Sequence, residues 1–79
     1  MKVYLSFHDS RFFELECLVF STPEAAIADA KEEMTAYEEA GEEHGFSVKW
    51  DMAIRGNKLF CAKADDGTTI WVEEKEVRE

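Results

Sequence analysis

Apolar and polar residues alternate at the start of the chain. In "KVYLSFH", Val3, Leu5 and Phe7 fall on one side and Tyr4, Ser6 and His8 on the other, the two-residue period of a half-buried strand. "HDSR" reads as a polar turn. "RFFELECLVF" then sets Phe13, Leu15, Cys17 and Val19 against Phe12, Glu14, Glu16, Leu18 and Phe20, predicting a β-hairpin over the first 20 residues. Beyond it the period changes. Thr22 suits a helix N-cap, Pro23 the first helical position, and Glu24 the positive end of the helix dipole. A helix is predicted to about His44, with Gly45 as its stop and Gly41 as an earlier alternative.

The two-residue period returns in "FSVKWDMAIR", where Phe46, Val48, Trp50, Met52 and Ile54 oppose Ser47, Lys49, Asp51, Ala53 and Arg55. "RGNK" marks a hairpin turn. "KLFCAKA", the turn "DDGT" and "TIWVEEKEV" complete the chain. The expected architecture is a single domain over residues 1–79 of class α+β. It is an antiparallel four- to five-stranded sheet with one amphipathic helix on one face, in the order ββαβββ. Val3, Leu5, Phe7, Phe13, Leu15, Val19 and the Phe46–Ile54 set are expected to line the face under the helix. Tyr4, Phe12, Leu18 and Phe20, with either Phe60 or Trp71, then form an uncovered apolar face, a candidate second interface or homodimer contact.

At about 100° per residue, Ile27, Ala30, Met34, Tyr37 and Gly41 form a narrow apolar stripe on the helix that should dock on the sheet. Asp29, Glu24, Glu32, Glu39, Glu42 and Glu43 fall on the far side. The acidity is regional. Residues 22–45 hold eight carboxylates and one basic residue, Lys31, whereas the flanking segments are nearly balanced within a net charge of −9. Helix stability does not ask for this bias. Asp29 with Glu33, Glu38 with Glu42, and Glu39 with Glu43 are like-charge pairs four apart, which repel. Glu42 and Glu43 also oppose the negative helix end. The bias therefore serves either solubility or a ligand that is a basic surface. Glu24 to Glu43 spans about 28 Å of helix at about 1.5 Å per residue. One DNA strand carries about eight phosphates over that length. Asp29, Glu32, Glu39, Glu42 and Glu43 are the candidate partner-binding residues.

Direct binding to nucleic acid or an anionic membrane is disfavoured, because both need clustered Lys and Arg. Lys49, Arg55, Lys58 and Lys63 gather on the third and fourth strands, either as a solvated edge or as a second contact. The longest strongly apolar run, Cys17–Phe20, is too short to span a bilayer, and "MKVYLSFHDS" lacks a signal-peptide pattern. Cys17 and Cys61 form no C-x-x-C pair, which fits reduced thiols in the cytoplasm of a bacterial host. Cys17, between Leu15 and Val19 on one strand face, is expected to be buried.

No catalytic signature stands out. His8-Asp9-Ser10 has the residue types of a hydrolase triad, but adjacency is the wrong arrangement. His44 suits a helix C-cap contact. No His, Cys or acidic spacing predicts a metal. The glycines at 41, 45, 56 and 67 form no phosphate loop, and no cofactor is expected.

"KVYLSFHD", followed by "VFSTPEAAIADAKE" and three strands, resembles small proteins common in phages and prophages, in which a short hairpin precedes a "VFST-x-EA" helix. The layout and acidity are also similar to those of phage-encoded anti-CRISPR and anti-restriction inhibitors. The resemblance implies a stoichiometric, non-enzymatic binder of a host defence complex. It would act as a nucleic-acid mimic on a basic protein surface. Two other classes fit the same residues. One is an immunity or antitoxin protein that blocks a basic nuclease. The other is a self-associating interaction module joined through Tyr4, Phe12, Leu18 and Phe20.

Overall fold

Five strands and one helix form in the order ββαβββ. They are β1 (Lys2–Asp9), β2 (Glu16–Phe20), α1 (Pro23–Glu43), β3 (Trp50–Asp51), β4 (Lys58–Ala64) and β5 (Thr69–Glu76). The structure is a computed structural model that describes residues 1–10, 14–54 and 56–78. Phe12, Phe13 and Arg55 therefore lie outside the described residues. The strands make one antiparallel sheet in the order β2-β1-β5-β4-β3, so the class is α+β as the periodicity predicts. β5, the last strand, sits in the centre. The helix links the two edge strands, and at 21 residues it is about 31 Å long, enough to cross the sheet.

The helix begins and ends as the sequence indicates. The Thr22 hydroxyl accepts from the Ala25 N–H at 3.2 Å, and Pro23 opens the first turn. His44 is the C-cap, and Gly45 turns the chain away at φ +85°, a conformation that favours glycine. Gly41 does not stop the helix. It is buried inside the last turns, and a Cβ there would lie 3.1 Å from both the Phe46 carbonyl oxygen and Val48 Cγ2. The missing side chain lets the returning segment lie on the helix, where the Phe46 N–H donates to the Gly41 carbonyl at 3.0 Å.

The helix covers the face opposite to the one expected. The buried core is Ala26 and Ala30 from α1 with Phe60, Ala62, Ile70 and Val72 from β4 and β5. Tyr4, Phe20, Ile27, Met34 and Trp50 pack around it. Ser6 is wholly buried and His8 nearly so. Register explains the inversion. Ser6 pairs with Val72 and His8 with Ile70. Side chains directly across a ladder share a face. Once Ile70 and Val72 turn to the helix, Ser6 and His8 must follow. Val3, Leu5 and Phe7 go to the open face, and through the β1–β2 ladder so do Cys17 and Val19.

Two further expectations change. The Phe46–Ile54 segment forms only the two-residue strand β3, paired with the end of β4. Phe46, Met52 and Ile54 are exposed, while Trp50 reaches the core. Cys17 is exposed and not buried, because β2 is an edge strand whose open face no described element covers; Cys61 is buried, and both thiols are free. Among the described residues no helix is long and apolar enough to cross a membrane.

Candidate interaction surface

The outer side of α1 carries a stripe of exposed glutamates. Ala26, Ala30 and Gly41 are its buried residues, with Ile27, Met34 and Tyr37 half-buried beside them. At about 100° per residue these six span about 200° to 300° of the helix circumference, taking Glu24 as 0°. Glu24, Glu32, Glu39, Glu42 and Glu43 are all exposed. They fall between about 0° and 100°, diametrically away from the sheet. None of the five takes part in an ion pair among the described residues, and the last turn contains no basic residue. Coulomb repulsion along this stripe is softened by Lys31 at its flank and by water and salt, so a cationic surface placed against it gains on approach.

Asp29 does not belong to that stripe. At about 140° it reaches the sheet, and its Oδ2 lies 2.9 Å from His8 Nε2. A carboxylate can only accept, so Nε2 carries the ring proton and donates to Asp29. Ser6 Oγ lies 3.2 Å from the same nitrogen. Glu16 and Glu33 approach the other ring nitrogen to 3.8 Å each, and that Nδ1 is buried without a hydrogen-bond partner. The cluster therefore ties α1 to β1, with Glu16 of β2 alongside. It has Ser, His and Asp, but not the geometry of a nucleophilic triad. There the base must meet the nucleophile through one nitrogen and the acid through the other, whereas here both partners share Nε2. Asp9, the acid adjacent in sequence, is exposed on the opposite face. No three His, Cys, Asp or Glu side chains among the described residues stand in an arrangement that would hold a metal ion.

Further along the helix, aromatic groups with polar tips hold it to the sheet. Trp50 Nε1 donates to Glu38 Oε1 at 2.6 Å, and the Trp50 and Tyr37 rings meet edge to face at 5.8 Å. The Tyr37 hydroxyl donates to Asp66 and accepts from Thr68 Oγ1. Glu38 and Asp29 are thus engaged inside the fold, which leaves the five exposed glutamates as the face available to a partner.

The residues expected to form a second interface are dispersed. Tyr4 and Phe20 pack under the helix. Leu18 shares their side of the sheet, opposite Ser6, yet is 41% exposed because β2 is at the edge. Phe12 lies outside the described residues. The uncovered apolar face is made instead by Val3, Leu5, Phe7, Cys17, Val19 and Trp71. Phe7 and Trp71 stack at 4.8 Å, and Lys58 Nζ sits 5.8 Å from the Trp71 ring centroid. One signal for this face was present in the sequence. A helix that docks through alanine and glycine and carries Asp29 and Glu33 beside that stripe accommodates Ser6 and His8 better than Leu5 and Phe7. The remaining lysines do not form a free basic patch. Lys49 and Lys63 line a shallow hollow together with Asp51 and Asp65.

Comparison of the chain with protein-family models, with curated proteins and with solved structures found no match in any of the three.

Proposed function

We propose that the protein is a non-enzymatic inhibitor of the phage anti-CRISPR or anti-restriction type. Its acidic helix occupies a basic, nucleic-acid-handling surface of a bacterial defence complex in the cytoplasm. The observation that carries this reading is the stripe of Glu24, Glu32, Glu39, Glu42 and Glu43, exposed on the side of α1 away from the sheet and in no ion pair among the described residues. A rigid rod of carboxylates about 28 Å long offers a groove built for phosphates a comparable charge density. The sheet fixes the rod from behind, so little ordering entropy is lost on binding.

The test is capture of proteins by the tagged chain from a bacterial host carrying active defence systems. Wild type is compared with the Glu32→Lys, Glu39→Lys, Glu42→Lys, Glu43→Lys variant. The variant should fold at least as well, because lysines in the last turn suit the negative helix end. A nucleic-acid-binding defence complex retained by wild type and lost by the variant, with binding weakened by added salt, is the expected result. Equal capture by both would refute the acidic helix as the binding face.

A further inference from the structure

We infer that His8, Glu16 and Glu33 form a binding site for a divalent transition ion of the zinc class, joining β1, β2 and α1 at one point. The site uses none of the five glutamates of the outer stripe and does not rest on the reading given for them.

His8 supplies the first ligand. Its side chain is 8% exposed. Nε2 donates to Asp29 Oδ2 at 2.9 Å, so Nδ1 keeps the lone pair through which a neutral imidazole binds metal. That nitrogen is buried and has no hydrogen-bond partner among the described residues. Buried polar atoms are seldom left so, and the exceptions call for a ligand or another physical cause. Nδ1 faces Glu16 Oε2 and Glu33 Oε2, each 3.8 Å away. The fold places both residues. Glu16 stands directly across the β1–β2 ladder from His8 and so shares its face of the sheet. Glu33 follows Asp29 by four residues on α1, the spacing that sets both on one side of the helix.

Distance and charge favour a metal over a second ring proton. At 3.8 Å neither carboxylate is within hydrogen-bond reach of a ring N–H, which extends to about 3.2 Å. Two ligands held by zinc at about 2.0–2.2 Å and at the tetrahedral angle stand about 3.4 Å apart. In the described arrangement no three ligating groups yet surround one point. The Glu16 and Glu33 side chains are 68% and 46% exposed, and rotation about their torsions supplies the remaining shift of about 0.4 Å. Asp29, Glu16 and Glu33 bring three carboxylates to one ring, and among the described residues no Lys or Arg pairs with any of them. A dication offsets two of those charges. Asp29 then orients the ligating imidazole through its other nitrogen, the usual partner of a metal-bound histidine. The imidazole selects zinc-class ions over Mg²⁺ and Ca²⁺, and water completes the coordination on the exposed side.

Isothermal titration calorimetry of the untagged, chelator-treated chain with Zn²⁺, in buffer holding a phosphine reductant, tests the inference. Wild type should bind one ion per chain with a dissociation constant below about 0.1 mM. The ion should also raise the melting temperature, because it binds the folded state. Glu16→Gln with Glu33→Gln should weaken binding at least about tenfold. Circular dichroism checks that this variant is folded, which His8 substitutions put at risk. Cys17→Ser, at a thiol on the opposite face of the sheet, and His44→Gln, at the other histidine, should leave the affinity unchanged. Absence of Zn²⁺ binding up to millimolar concentration overturns the inference. So does equal affinity for Mg²⁺, binding that survives the paired Glu16 and Glu33 substitutions, or binding that is lost with Cys17→Ser or His44→Gln.

Discussion

Asp29→Ala separates the carboxylate that holds the fold from those that face a partner. The substitution removes the acceptor 2.9 Å from His8 Nε2 and leaves a ring with 8% side-chain exposure with Ser6 Oγ at 3.2 Å as its remaining hydrogen-bond partner. Losing a hydrogen bond to a charged group costs about 1.5–3 kcal/mol. Two smaller effects act the other way. Alanine is the better helix former by up to about 0.7 kcal/mol, and relief of the Asp29–Glu33 repulsion returns a few tenths of a kcal/mol. The net loss is about 0.5–2 kcal/mol, or about 2–16 °C in melting temperature for a domain of this size. Glu32→Ala, on the same helix but exposed and in no ion pair among the described residues, should stay within about 0.5 kcal/mol of wild type. Asp29→Asn should fall between, because its amide oxygen still accepts from His8. Urea titration and thermal melts followed by circular dichroism read all three. If Asp29→Ala unfolds within about 0.5 kcal/mol of Glu32→Ala, the His8–Asp29 tie contributes no stability and Asp29 returns to the acidic face.

Three other substitutions probe the same architecture. Tyr37→Phe removes the hydroxyl that meets Asp66 and Thr68 and should cost about 1–3 kcal/mol, measured by urea unfolding with tryptophan fluorescence reporting on neighbouring Trp50. Ile70→Ala, at a site 1% exposed, should cost about 2–5 kcal/mol. Ile54→Ala, at a site 63% exposed, should be nearly neutral; paired thermal melts compare the two, and a large loss at Ile54 would mean that the segment before β4 does reach the core.

The acidic stripe was legible in the sequence because helix geometry is local. Once Thr22 and Pro23 set the start, the angular position of every later residue follows from 3.6 residues per turn. The outward direction of Glu32, Glu39, Glu42 and Glu43 follows with it. Asp29 was misplaced because it sits at the flank of the stripe, where about 40° separates the last exposed glutamate from a side chain that can reach the sheet. Whether such a flanking carboxylate turns inward depends on what the sheet presents, and that was His8.

By itself the sequence determined the element types, the ββαβββ order, the helix termini and the single acidic face, since periods, caps and turn residues are set by neighbours in the chain. It also determined that each early strand has two distinct faces. Only the tertiary structure decided which face the helix covers. Alternation gives a strand's two sides but not their orientation, and a slip of one residue in pairing exchanges them. Here the choice was made on the central strand. Ile70 and Val72 bury against Ala26 and Ala30, and the register they impose on β1 and β2 turns Ser6 and His8 inward and leaves Leu5, Phe7 and Val19 uncovered.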